Sequence, residues 1–178
     1  MNPSHQQYPE QTRIQYPLAY LISFRCYGTW LPGDIRGSVR MQKNEPGTYL
    51  IPYDTGRLRR NRCRMKQSPY ELDAPHRRIV FDAVIEVCEY RGWRLIAAHV
   101  RSTHVHVIVQ AACKPEKVMN DFKAYASRAL TRAGYENPNR KRWSRHGSTK
   151  YLWESEEVES AVHYVIREQG EPMALYEP

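Results

Sequence analysis

Two histidines separated by one residue, His104 and His106, are the pair in this sequence best suited to chemistry. They lie in the run THVHVIV, residues 103–109, where polar and β-branched residues alternate as in a half-buried strand. Side chains two residues apart on a strand share a face, about 6.6 Å apart along the chain, so the valines would face a core and both imidazoles the opposite side. Two adjacent imidazoles can bind one cation and leave positions for water and a phosphate oxygen. Two half-exposed histidines that bind no metal would give the same short pattern.

Three known arrangements of functional histidines do not match. A metallo-β-lactamase-like site needs His-x-His-x-Asp-His, but Val107 and Ile108 follow the pair here. A histidine-triad hydrolase needs a third histidine at position 108, and a two-histidine phosphoesterase needs a second His-x-Ser/Thr strand, which the sequence lacks. The remaining possibility is a metal site in which two histidines suffice and a third ligand comes from another element.

The elements that must position the histidines are predicted from periodicity and capping residues. In chain order we expect a strand, an insertion, a helix, two strands, a helix, a strand and a helix, at about residues 18–27, 33–68, 73–92, 93–100, 103–110, 116–133, 148–153 and 155–170. Asp73 and Ser155 are the predicted N-caps of the first and last helices. This order predicts an α+β fold with a ferredoxin-like antiparallel sheet, helices packed on it and a long insertion after the first strand. Residues 1–14 are predicted to be a flexible arm and residues 15–178 a single domain.

The charge of the chain favours a polyanionic partner. Its formal net charge is +8 and its pI is about 9.4, and such a positive field attracts phosphates. Basic residues cluster at 57–66 (RLRRNRCRMK) and at 140–150 (RKRWSRHGSTK), where the interleaved Trp143 suits a single strand whose bases need stacking. Two solvated loops would also explain the clusters.

No apolar run approaches the roughly 20 residues of a membrane span, and the N-terminus does not resemble a signal peptide. The four cysteines are widely spaced. We therefore expect a cytoplasmic protein with reduced thiols.

The segments around the histidines resemble the single-tyrosine HUH transposases, which are the IS200/IS605-type enzymes and their REP-associated relatives. AAHVRST precedes the pair and VIVQ follows it, and SFRCYGTWLPGD, FKAYASRAL, HGSTKYLW and AVHYVIREQG agree in order. The similarity covers about residues 18–172, with a longer segment at 33–68 than in compact members. It implies a metal-binding His-hydrophobic-His pair on a central strand, Mg²⁺ or Mn²⁺ as cofactor, a single tyrosine nucleophile, and single-stranded DNA with a nearby hairpin as substrate.

Two of the 13 tyrosines, Tyr125 and Tyr164, lie on predicted helices downstream of the histidines. The resemblance favours Tyr164, because the family places its nucleophile on the last helix about sixty residues after the motif. The helical pattern favours it independently, since Tyr164 lies about 130° from the centre of the apolar stripe of that helix. Tyr125 lies at the edge of such a stripe and is better explained by packing. A third possibility is that no tyrosine is catalytic.

The resemblance also implies a third metal ligand and a DNA surface. Family members commonly supply a glutamine four residues after the tyrosine, where this chain has Glu168. Because residues i and i+4 share a helical face, we expect Glu168 to be the ligand, with Gln169 as the fallback and a solvated Glu168 as the alternative. The predicted DNA-binding residues are Lys123, Arg128, Arg140, Arg142, Trp143, Arg145, His146 and Lys150. Trp30 could stack a base but is more readily explained as a turn anchor.

The predicted function is therefore metal-dependent nicking and rejoining of single-stranded DNA through a 5′-phosphotyrosine. In insertion-sequence members a homodimer brings the tyrosine of one subunit to the histidines of the other, whereas REP-associated relatives can act as monomers, and the sequence leaves both open. Two other functions are compatible with the residues. One is a domesticated, non-catalytic DNA- or hairpin-binding protein, and the other is a metal phosphoesterase, for example one directed at RNA, that uses water as its nucleophile.

Overall fold

The computed structural model describes residues 16–36, 52–135 and 137–177. The predicted arm at 1–14 and residues 37–51 of the predicted insertion lie outside this part of the chain. The elements in chain order are β1 (Ala19–Cys26), α1 (Thr55–Cys63), α2 (Ala74–Arg91), β2 (Arg94–Val100), β3 (His104–Gln110), α3 (Pro115–Arg132), β4 (Trp143–Leu152), α4 (Ser155–Arg167) and β5 (Ala174–Tyr176).

The strands form one sheet in the order β4-β1-β3-β2-β5, and every pair of neighbours is antiparallel. The order of the first four strands, β4-β1-β3-β2, is that of a ferredoxin-like sheet. The predicted α+β class, antiparallel sheet and long connection after the first strand are therefore confirmed. No helix in the described ranges has the length and apolar character needed to cross a bilayer.

The two faces of the sheet are covered by different helices. Helices α2 and α3 pack together on one face, where the larger hydrophobic core includes Phe24, Val107 and Phe122. Helix α4 covers part of the other face through a smaller cluster that includes Ile108 and Val165. The alternation predicted for residues 103–109 is confirmed, because the odd-numbered valines join the larger core.

Some element boundaries differ from prediction. Helix α1 forms inside the predicted insertion; none of its residues is buried, so it has no apolar stripe that periodicity could detect. Strand β4 starts at Trp143 rather than near residue 148, because most of this sheet-edge strand is solvent-exposed and its basic residues conceal the strand pattern. The N-cap of α4 is Glu154, not Ser155, and the Glu157 carboxylate accepts hydrogen bonds from the backbone N–H groups of Trp153 and Glu154.

Candidate active site

His104 and His106 lie side by side on β3, on the face of the sheet covered by α4. Their ring centroids are 4.9 Å apart, and His106 is only 7% exposed. Strand β1 pairs with β3 in a register that sets Arg25 opposite His104 and Ser23 opposite His106. Because directly opposed residues of an antiparallel pair share a face, the two strands bring a guanidinium, a hydroxyl and both imidazoles together.

Hydroxyl groups occupy one nitrogen of each imidazole. His106 Nδ1 lies 2.6 Å from the hydroxyl oxygen of Ser23, and His104 Nδ1 lies 3.1 Å from that of Thr103. When Nδ1–H donates to a hydroxyl, Nε2 keeps its lone pair, and this is the arrangement of a histidine that binds metal through Nε2. Ser23 and Thr103 are therefore suited to hold the tautomer that a metal needs.

Burial keeps both imidazoles neutral. It lowers the pKa of His104 to about 4 and that of His106 to about 3, and the neighbouring His104 contributes to the second shift. A neutral imidazole can bind a cation at physiological pH, whereas a protonated one cannot.

Tyr164 lies against this pair. Helix α4 buries Ala161, Val165 and Ile166 on the sheet, which leaves Tyr164 38% exposed and off the apolar stripe, as the helical pattern predicts. Its ring centroid is 5.5 Å from that of His106, at an interplanar angle of 77°. Tyr125 lies on α3, across the sheet from the histidines, where it packs against the larger core and near Tyr90.

The structure places Gln169, rather than Glu168, at the histidines. Helix α4 ends at Arg167 with Glu168 as its C-cap, so the i and i+4 relation with Tyr164 no longer applies to the side chains. Glu168 turns away and its Oε1 lies 3.0 Å from His163 Nδ1. The Gln169 side chain lies near both imidazoles, where it raises the pKa of His104 and of His106 against the larger effect of burial, and its Nε2 donates to the Tyr164 carbonyl oxygen at 3.2 Å. Within the described residues, no group of three or more His, Cys, Asp or Glu side chains is arranged to hold a metal ion.

A third histidine, His99, fixes the turn that carries Gln169. It is fully buried on β2, opposite His106 in the β2–β3 register. Its Nδ1 lies 3.0 Å from the Val165 carbonyl oxygen, to which it donates, and its Nε2 accepts from the Met173 N–H at 3.2 Å. His99 thus ties the last turn of α4 and the chain beyond Gln169 to the histidine strands.

Arg25 supplies positive charge at the same place. Its guanidinium carbon lies 3.2 Å from the centroid of the Trp30 ring, and partial desolvation there lowers its pKa to about 10, although the residue as a whole is exposed. Arg25 also interacts electrostatically with Tyr164, His104 and His106. Trp30 is half-buried under Arg25 and Arg36, so it is a cation–π platform of the turn after β1.

Four predicted DNA-binding residues make contacts inside the protein, and their role in binding DNA stays a prediction. Lys123 is buried beneath β4, where its Nζ donates to the carbonyl oxygens of Ser144 and His146, and burial lowers its pKa to about 8. Arg142 is buried and donates to the Tyr135 carbonyl oxygen.

Trp143 and Arg140 are the other two. The Trp143 indole N–H bonds to the Lys123 carbonyl and the Ser127 hydroxyl, with its ring edge-to-face against Phe24. Arg140 holds the chain at Gln67–Pro69. These contacts join residues far apart in the sequence, which sequence pattern alone could not show.

The other four predicted contacts, Arg128, Arg145, His146 and Lys150, are exposed. Lys150 lies 3.8 Å from Glu157. Ser23, Arg25 and His99 were not predicted as site residues from the sequence. The alternation SFRC on the first strand was the available signal for Ser23 and Arg25, because antiparallel pairing with the histidine strand places every second residue on the histidine face.

Comparison with known proteins adds a family assignment. A sequence model of the family described as "Transposase IS200 like" matches residues 64–168, more than half of the chain. A solved structure of a REP-associated tyrosine transposase bound to a REP hairpin is similar to this chain, with 10% sequence identity, coverage of 93% of this chain and 71% of that chain, and a TM-score of 0.45. No curated protein matches.

Proposed function

The chain belongs to the IS200-like transposase family, and from that membership we propose that it nicks and rejoins single-stranded DNA with Tyr164 as the nucleophile. The observation that carries the proposal is the contact between the Tyr164 and His106 rings, at a point where the Gln169 side chain lies near both histidines. A nucleophile, a pair of neutral imidazoles and an amide oxygen are thereby brought to one place.

The donor set fits a divalent cation. The two imidazoles would hold it through Nε2, with the Gln169 side-chain oxygen as third ligand, and further positions would stay open for phosphate oxygens. Mg²⁺ prefers oxygen ligands, whereas imidazole nitrogens suit later divalent metals, so we expect Mn²⁺ to bind more tightly than Mg²⁺. When bound, the cation would polarise the scissile phosphate and stabilise the charge that develops on it.

The residues of the chain supply the nucleophile and its surroundings. Tyr164 supplies a hydroxyl oxygen, and the Arg25 guanidinium, which interacts electrostatically with Tyr164, supplies positive charge beside it. The Tyr164 oxygen bonds to phosphorus, the bond from phosphorus to the 3′-oxygen breaks, and that oxygen leaves as a 3′-hydroxyl after taking up a proton. The 5′-phosphate stays on Tyr164 until another 3′-hydroxyl attacks it and restores the phenol. Rejoining therefore needs no ATP.

The proposed site needs no second subunit. Tyr164, both histidines and Gln169 belong to one chain and lie together within it. We therefore expect that mixing Tyr164→Phe protein with His106→Ala protein restores no cleavage. Restored cleavage would mean that the tyrosine acts on the histidines of a partner chain.

A covalent-adduct assay tests the proposed function. Purified protein is incubated with labelled single-stranded hairpin DNA and Mn²⁺, and the products are separated on a denaturing protein gel. We expect a labelled adduct with the wild type and with Tyr125→Phe, the matched control on the other face of the sheet, but not with Tyr164→Phe or His106→Ala. Cleavage without an adduct would indicate a phosphoesterase that uses water. Binding with neither product would indicate a DNA-binding relative without catalysis.

A further inference from the structure

Helix α1 contributes nothing to the hydrophobic core. None of its residues is buried, and it is attached mainly by polar contacts and turns. Asn61 donates to the Pro32 carbonyl oxygen, the Asp54 N–H donates to Gly33, and a side chain at Gly33 would come within 2.7 Å of the Asp54 carbonyl oxygen. The protein thus holds an exposed helix in a defined position without gaining apolar burial from it.

The surface of α1 and the residues after it is strongly basic. Five exposed basic side chains follow one another here: Arg59, Arg60, Arg62, Arg64 and Lys66. None of them forms a salt bridge with another residue of the described ranges. The two nearby carboxylates are already engaged, Asp54 by Arg57 and Asp34 by Arg36. The positive charge of α1 is therefore available to an external anion.

Folding joins this cluster to the second basic segment. Gln67 donates to the Asn139 carbonyl oxygen at 3.1 Å and accepts from the Lys141 N–H at 2.7 Å. A groove of about 460 Å³ lies at this junction and includes Arg62, Lys66 and Ser68 in its lining. Exposed Lys141 and Arg145 continue the basic surface onto β4.

The basic surface adjoins the candidate active site. The turn that supports α1 also carries Trp30, whose ring lies under Arg25 opposite His104. A DNA strand that is bound at the histidines and extends past the His104 end of the sheet would pass next to α1.

We infer that α1 and the segment that follows it bind the phosphate backbone of a DNA duplex stem next to the cleaved single strand. This inference rests on the proposed function for the location of the cleaved strand. Helix α1 contains no aromatic residue, and stacking platforms are what proteins use to bind single strands, whereas duplex phosphates require only closely spaced positive charge. At about 1.5 Å per residue, α1 spans about 13 Å, a length over which duplex DNA presents several phosphates.

Salt-dependent binding tests this surface. The probe is a labelled DNA hairpin of arbitrary sequence whose stem is about one helical turn long, and an unpaired strand of equal length is the comparison. In Arg59→Gln/Arg62→Gln protein we expect the slope of log affinity against log salt for the hairpin to fall by about 1.8, which is about 0.9 for each lost phosphate contact. Affinity for the unpaired strand should change little. The substituted positions are exposed, so folding should be preserved, and thermal unfolding would verify this.

The matched control is Arg94→Gln/Lys114→Gln, which removes the same charge at the end of the sheet far from His104, since Arg94 pairs with Gln110. Hairpin binding that is weakened equally by both double variants, or by neither, overturns the inference, and so does a preference for an RNA hairpin. Adduct formation on an unpaired strand reports the proposed function separately. If the wild type forms no adduct but its duplex binding still depends on α1, the proposed function is wrong and the inference about the binding surface still holds.

Discussion

The two faces of the sheet are built from the same strands but for different purposes. The face beneath α2 and α3 carries the larger hydrophobic core, whose valines and phenylalanines are almost fully buried, and the buried Lys123 lies at its edge under β4. The face beneath α4 is apolar only around Ile108 and Val165, and beyond them it buries His99 and His106. Burial removes the hydration of an imidazole, and hydrogen bonds must compensate for that loss. The second face is therefore expected to contribute less to stability than an apolar face would, at the position where chemistry is proposed.

Substitution of one aromatic residue on each helix should give the largest difference between the faces, measured as the loss in the free energy of unfolding. Phe122 on α3 is fully buried and packs edge-to-face on Trp93, so Phe122→Ala should lower the free energy of unfolding by about 3–5 kcal/mol. Tyr164→Ala on α4 should cost less than about 1 kcal/mol, because this side chain is substantially exposed. Denaturant unfolding measures both, and comparable losses would mean that the two faces do not differ in this way.

The end of α4 offers a second test, confined to activity. Gln169→Ala should lower the rate of adduct formation by about 10–100-fold, because the amide beside both histidines is lost. Glu168→Ala is the matched control, since Glu168 contacts the exposed His163 instead. A larger loss in Glu168→Ala would restore Glu168 as the functional residue and contradict the geometry at this turn.

The same turn marks the limit of what the sequence could predict. Valine alternation around His104 and His106 was sufficient to predict the strand, its two faces and the face on which both imidazoles lie, and the stripe of α4 was sufficient to predict that Tyr164 leaves the core. The choice between Glu168 and Gln169 as third metal ligand depended on whether α4 ends at Arg167 or continues to Gly170, a difference of less than one turn. Helix ends depend on tertiary contacts such as the bonds of His99 to Val165 and Met173, which sequence spacing does not contain.

His99 should connect the stability of the second face to its function. His99→Ala leaves the Val165 carbonyl and the Met173 N–H without their partner, at a cost of about 2 kcal/mol. Adduct formation should also slow, because the turn that carries Gln169 is released. Hydrogen exchange at the Met173 amide locates the effect, and His163→Ala serves as the exposed control. Unchanged exchange at Met173 would show that other contacts hold this turn.

The pH dependence of folding should give the smallest difference between the faces. The pKa values of His104 and His106 are lowered by burial to about 4 and about 3, from about 6.5 in an unfolded chain. Above pH 6.5 both states keep these imidazoles neutral, so their contribution to stability is constant. As pH falls below 6.5 the unfolded chain binds protons that the folded chain excludes, and stability declines progressively toward pH 4.

Metal-free protein unfolded in denaturant at pH 7.5, 6 and 5 measures this decline. His104→Gln/His106→Gln should make it shallower, because a neutral amide binds no proton in either state, whereas His99, whose pKa burial also lowers, remains and contributes the rest. Substitution of His76, which lies at the start of α2 on the other side of the sheet and pairs with Asp73, should leave the decline in place. A decline that persists unchanged in the double variant would trace the acid sensitivity to groups outside the histidine strand, and the neutral imidazoles would then add no measurable cost to the second face.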